Sequence, residues 1–170
     1  NSLLFQTDEL LLEAPNWSLA GDALILNGDG LLWRLPLAAP QLAPIAITGI
    51  PPLNNDHVLD PDGAHIFMSA YDDFHIYRAP LAGGAARRVT GREGPEGLLH
   101  FLHGVSPDGA QLSFVGLRFA QNTEPASITF SEICTIAADG SQFRQITDGG
   151  VPVDGPEYSP DGAWLYFNTE

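Results

Sequence analysis

A ten-residue stretch near the end of the chain, YSPDGAWLYF at residues 158–167, decides the fold. Related stretches occur three times before it: WSLAGDALIL at 17–26, LDPDGAHIF at 59–67 and VSPDGAQLSF at 105–114. Their glycines lie at positions 21, 63, 109 and 162, so successive copies are 42, 46 and 53 residues apart. Self-similarity at this period indicates a repeat architecture, in which each copy is one structural unit.

Each copy has the pattern of a tight turn between two strands. In the third copy, Pro107 presets a turn-compatible φ, and Gly109 can adopt the positive φ that other residues avoid. Apolar residues alternate after the turn, which is the period of a half-buried strand. Further turn signals such as Asn27-Gly28 and Asp139-Gly140 divide the repeats into about four short strands.

Four short strands in each repeat, joined by tight turns, predict an all-β protein, a β-propeller built from four-stranded antiparallel blades. We also expect residues 3–8 to form an orphan outer strand, of the kind that closes a ring on its last blade. The predicted blades cover about 14–48, 54–90 and 102–147, followed by half a blade at 154–168. An insertion near 117–129 in the third blade is expected to be a surface loop.

The count of about 3.5 blades predicts an incomplete ring. Propellers close with about 4–8 blades. We therefore expect either that this sequence is the front part of a longer chain or that two copies complete one ring. An open set of blades leaves sheet edges bare and favours association.

Composition excludes some classes of protein. Seven basic residues face 21 acidic ones, for a formal charge of −14, and a nucleic-acid binder needs clustered cations instead. No apolar run approaches the roughly 20 residues of a transmembrane helix. Cys134 is the single cysteine, so an intrachain disulfide is excluded, and its alternating surroundings predict a buried, inert thiol.

Candidate binding residues precede the turns. In a propeller the innermost strand of each blade lines the central channel, and its first residues lie at one rim. His57 and His103 both stand six residues before a turn glycine. We expect these histidines and their polar neighbours to project from adjacent blades toward that rim. The candidate ligand-binding residues are Asn55, Asp56, His57, His100, His103 and Asp154.

The Ser-Pro-Asp-Gly-Ala-x-Leu-x-Phe copies resemble the repeats of the TolB-like β-propeller family, over nearly all 170 residues. Similar repeats occur in the propellers of prolyl-oligopeptidase relatives and of oligogalacturonate lyases. TolB carries an α/β domain before its propeller, to which nothing here corresponds. The first copy departs from the pattern, with Leu19-Ala20 in place of Pro-Asp. The resemblance implies a bacterial, periplasmic interaction module.

The likeness to oligogalacturonate lyases, which hold a channel metal with histidines of different blades, implies a metal role for His57 and His103. Imidazole and carboxylate ligands suit zinc, manganese or iron. No compact metal motif is present, however. The alternative is that these side chains cap strand ends or order water in the channel.

Three functions follow as hypotheses. The favoured one is a non-catalytic module that binds a protein or carbohydrate ligand at the channel rim. The second is a metal-dependent, carbohydrate-active enzyme of the lyase type, in which a base abstracts a proton. The third is a propeller that gates a separate hydrolase domain. A Gly-x-Ser-x-Gly nucleophile motif is absent from the sequence.

Overall fold

The structure is a computed structural model of the chain, and it describes residues 3–91, 93–120 and 127–169. Regular secondary structure in this part of the chain consists of β-strands alone. The described residues contain no helix long and apolar enough to cross a membrane.

The strands form three four-stranded antiparallel sheets, one two-stranded antiparallel sheet and one two-stranded parallel pair. Blade one consists of β1 (Glu13–Trp17), β2 (Ala23–Gly28), β3 (Leu31–Pro36) and β4 (Ala43–Pro44). A short parallel pair, β5 (Ile47–Thr48) and β9 (Gly84–Ala85), ties it to the next blade. Blade two consists of β6 (Leu53–Leu59), β7 (His65–Ala70), β8 (Ile76–Pro80) and β10 (Arg87–Arg88).

The second half of the chain continues the series. Blade three consists of β11 (Leu99–Val105), β12 (Gln111–Phe119), β13 (Ile128–Ala137) and β14 (Arg144–Gln145). The half blade consists of β15 (Val153–Tyr158) and β16 (Leu165–Thr169). The first strands of successive blades contact one another, β1 with β6, β6 with β11 and β11 with β15. This is the arrangement of a partial β-propeller, as the repeats predict.

The repeated turn is held by its serine and aspartate. In blade three, the Ser106 hydroxyl donates to Asp108 over 2.6 Å and accepts the backbone N–H of Gln111 over 2.9 Å. Asp108 also accepts the N–H of Ala110 over 3.0 Å, and Gly109 has a φ of 71°. The repeat sequence therefore joins the first two strands of each blade by side-chain hydrogen bonds as well as by backbone conformation.

The core lies between the blades. Alternate residues of β7 face opposite neighbours: Ile66 and Met68 pack in the cluster shared with blade one, and Phe67 packs in the cluster shared with blade three. Cys134 belongs to the second cluster, and burial raises the pKa of its thiol to about 12. Both faces of the central sheets are thus apolar, which explains the nearly continuous burial of β7.

Two predicted segments differ in the structure. Residues 3–12 belong to no sheet, so the closing strand expected at 3–8 is unpaired in this chain and stays a prediction. The insertion expected as a surface loop over 117–129 instead begins and ends as an extension of the β12–β13 hairpin, with Leu117 paired to Ser131 and Arg118 to Phe130. Residues 121–126 of that insertion lie outside the described part.

Candidate ligand site at the channel rim

A pocket of about 540 Å³ opens where the first strands of blade two, blade three and the half blade begin. The turn between β7 and β8 and the extended β12–β13 hairpin complete its wall. Four of the six candidate residues line this pocket together: Asn55, Asp56, His103 and Asp154. The structure thus brings most of the predicted rim residues into one site.

A β-bulge aims His103 at the pocket. On β11, Leu102 pairs with Phe114 and Gly104 pairs with Ser113, so His103 is an extra residue between two ladder pairs. Bulges re-aim a side chain out of the regular alternation of a strand. Gly104 permits the close approach of the half blade, since a Cβ there would lie 2.8 Å from the carbonyl oxygen of Pro156.

His57 does not line the pocket, although its place in the repeat, which is the same as that of His103, predicted that it would. The bulge of blade two comes earlier, over residues 54–56, so His57 pairs in register with Met68. Its ring is buried, with 4% of the residue exposed, and neither ring nitrogen has a hydrogen-bond partner among the described residues. Burial lowers the pKa of His57, and the nearby backbone of Ile25 and Asn55, which acts to raise the pKa, offsets only part of this shift.

His100 also lies away from the pocket, but it supports one of the residues that line it. The residue is 2% exposed, and its ring stacks on His75 with 5.3 Å between centroids. Its backbone N–H and its Nδ1 both donate to the carbonyl oxygen of Phe74, over 3.0 and 2.9 Å. Burial lowers the pKa of His100 to about 4.

Negative charge dominates the rim. His103 Nε2 lies 3.1 Å from Asp154 Oδ1, whose side chain is 69% exposed. Burial raises the pKa of Asp56; His103 and a hydrogen bond from Asn54 oppose this shift, and the charge of Asp154 adds to it. Burial likewise raises the pKa of Glu157, against the effect of His103. One imidazole therefore interacts with three carboxyl groups.

An aromatic wall, defined as Tyr71, Phe74 and Phe101, lines the same pocket. The ring centroids of Tyr71 and Phe74 are 5.8 Å apart, and those of Phe74 and Phe101 are 5.6 Å apart. Phe74 has a φ of 52°, unusual for a bulky residue. Sequence reasoning missed this wall, although two aromatic residues inside the polar turn at 71–74 are a signal that it could have used.

The predicted metal pair does not fit a shared ion, because His57 faces the interface with blade one and His103 faces the pocket. Among the described residues, one group of three potential ligands lies close together: Asp60, Asp62 and His65. The guanidinium of Arg78 forms ion pairs of 2.7 Å with both aspartates of this group. The group therefore has a counter-charge within the chain.

Comparisons with known proteins agree with this architecture. No protein-family model matches the chain. An uncharacterised protein of Agrobacterium fabrum is 38% identical over 171 residues, which cover 98% of this chain and 53% of that protein. A solved structure from Agrobacterium tumefaciens, provisionally identified as TolB, is 37% identical with a TM-score of 0.82. The match covers 98% of this chain and 56% of the Agrobacterium tumefaciens chain. The chain thus spans about half the length of these relatives.

More distant structures share the fold alone. TolB from Acinetobacter baumannii is 18% identical with a TM-score of 0.65, over 88% of this chain and 35% of its own. An oligogalacturonate lyase in complex with manganese is 14% identical with a TM-score of 0.52, and the match covers 91% of this chain and 57% of the lyase chain. The repeated turns, the four-stranded blades and these similarities show that the chain is a partial β-propeller that resembles the TolB-like structure from Agrobacterium tumefaciens.

Proposed function

We propose that this propeller is a binding module whose ligand, an extended protein segment, occupies the rim pocket. One observation carries the proposal: the pocket gathers polar and charged side chains from three successive blades beside an aromatic wall. Concave sites with apolar walls and a few convergent polar groups are the usual form of ligand sites. Aromatic residues at a surface of this kind also suit protein recognition.

The hairpin extension supports an extended ligand. Leu117 and Ile128 of the extended hairpin, together with Val153 of β15, add apolar surface to the same pocket. A peptide in this position would contact apolar residues with its side chains and polar residues with its backbone. A sugar would make fewer apolar contacts with the same wall.

Binding of peptides and oligosaccharides to the full-length protein tests this proposal. Panels of blocked ten-residue peptides and of neutral and acidic oligosaccharides would be screened by calorimetry. The variant Asn55→Trp fills the pocket from an exposed position and is expected to abolish binding of any peptide that the wild type binds. Asp139→Asn, in a turn near the Pro-Asp-Gly turns of blades two and three, is the control. Binding that Asn55→Trp leaves unchanged would refute the rim as the site.

A lyase-like activity is the second candidate, because the His103–Asp154 pair resembles a positioned general base. In this mechanism neutral His103 would take the C5 proton of a uronic acid residue, the electron pair would form the C4–C5 double bond, the C4–O bond would break, and the departing oxygen would take a proton from water. Ultraviolet absorbance of the unsaturated product, measured with wild type and His103→Ala, tests it. Equal rates for wild type and His103→Ala, or no activity in either protein, would refute a lyase activity that uses His103 as the base.

A further inference from the structure

We infer that the rim pocket recognises a cationic group of its ligand, an ammonium or a guanidinium, between the carboxylates and the aromatic wall. This inference rests on the proposed function and specifies the chemistry of the ligand. Three properties of the pocket support it: its charge, its aromatic wall and the rigidity of that wall.

The first step is the charge of the site. Asp56 and Asp154 lie in the pocket on different blades, and Glu157 is close enough to His103 to interact with it. Even a proton on His103 would offset only one of these negative charges. No arginine lines the pocket among the described residues, and the chain contains no lysine. A cationic ligand would supply the missing counter-charge, and charged groups in a cleft also raise the rate of encounter.

The second step is the aromatic wall. A cation over the face of an aromatic ring is attracted by the ring quadrupole, and the attraction grows when water is excluded. Phe74 and Phe101 are neighbours in the wall, and Asp56 belongs to the same pocket. Aromatic rings beside carboxylates favour a cation over an anion or a neutral sugar, because both groups present negative potential.

The third step is the rigidity of this wall. Phe74 sits on a turn, in a backbone conformation that bulky residues avoid. Two hydrogen bonds from buried His100 to the Phe74 carbonyl hold it there. Because His100 belongs to blade three and Phe74 to blade two, the ring is fixed from both sides of the blade interface. His100 is thus a positioning residue for the cation site.

Titration of the full-length protein with matched peptides tests the inference. Three blocked pentapeptides carry arginine, its neutral isostere citrulline, or glutamate at the centre of four glycines. We expect the arginine peptide to bind roughly tenfold or more tightly than the citrulline peptide, as one charge-assisted hydrogen bond allows. Asp154→Asn should remove most of this preference, and Glu157→Gln should reduce it. Asp139→Asn should leave it unchanged.

Free ethylguanidinium separates the two sources of such a cation. Affinity equal to that of the arginine peptide supports a small cation as ligand, and weaker affinity supports a protein side chain. Equal or tighter binding of the citrulline or glutamate peptide would overturn the cation inference and leave the proposed function standing. If none of the three peptides, nor any in the wider panel, binds at millimolar concentration, both fail. Thermal melting of each variant verifies that it is folded.

Discussion

His100 holds Phe74 through two hydrogen bonds to a single carbonyl oxygen, one from its backbone N–H and one from its ring Nδ1. A carbonyl only accepts, so Nδ1 must carry the proton. Nε2 is then an unprotonated nitrogen, buried without a partner among the described residues. The neutral tautomer of His100 therefore fixes the conformation of a residue in the rim pocket on the neighbouring blade.

Replacement of His100 should loosen the aromatic wall. His100→Phe keeps most of the ring volume but removes the Nδ1 donor to the Phe74 carbonyl. We expect a loss of about 0.5–1.5 kcal/mol in the free energy of unfolding, measured by urea denaturation, since the Phe74 carbonyl loses one of its two donors and keeps the other. His100→Asn restores a donor on a shorter side chain. It should recover affinity for a rim ligand better than His100→Phe, an outcome that a purely structural role would not produce.

Stability should fall as the pH is lowered toward 4, in part through His100. Its folded pKa is about 4, below the ordinary value of 6.5. Between these values the unfolded state binds the extra proton, so stability is full above about pH 6.5 and declines as the pH falls to about 4. The shift corresponds to about 3 kcal/mol. Burial of His57 acts in the same direction, whereas the raised pKa values of Asp56 and Glu157 oppose it.

The difference between wild type and His100→Phe isolates this contribution. Urea denaturation at pH 4.5 and pH 7 should give a smaller pH dependence for the variant. An identical dependence in both proteins would show that the pKa of His100 is not lowered by folding.

Ser69 couples blade two to blade three. Its hydroxyl donates to the His100 carbonyl over 3.1 Å and accepts the N–H of Leu102 over 3.0 Å, and the side chain is fully buried. Ser69→Ala leaves both backbone groups without this partner and should cost about 1–3 kcal/mol in the free energy of unfolding. Ser141→Ala is the matched surface control. A cost for Ser69→Ala no greater than for Ser141→Ala would contradict the coupling.

Arg78 stabilises blade two by balancing Asp60, which is buried. Its guanidinium contacts Asp60 and Asp62, whose side chains are 7% and 38% exposed. Arg78→Met keeps the aliphatic stem but leaves the Asp60 charge unpaired. The expected loss is about 2–4 kcal/mol, measured by thermal and urea unfolding, because an uncompensated buried charge is costly. Asp62→Asn, which leaves the Arg78–Asp60 contact in place, should cost about 1 kcal/mol or less.

Much of the fold was readable because propeller repeats are local. Each repeat turn closes within a few residues by its own hydrogen bonds, so its signal remains readable in three close copies and one divergent copy. The same locality placed Asn55, Asp56, His103 and Asp154 at one rim, because equivalent positions of successive blades lie side by side. The fold class, and the grouping of four of the six candidate residues in one pocket, needed no knowledge of tertiary contacts beyond this regularity.

The remaining features depend on contacts between distant residues. His57 and His103 occupy the same repeat position, but their strands bulge at different places. The bulge of blade two spans residues 54–56, so His57 pairs regularly with Met68 and its side chain faces the interface with blade one. Bulge placement depends on the packing of neighbouring blades, which no repeat pattern encodes. The aromatic wall joins a turn of blade two to a strand of blade three, and its conformation depends on His100. The sequence by itself determined the blades and the location of the rim, whereas the tertiary structure decided which side chains face the pocket, because strand register and blade contact set side-chain direction.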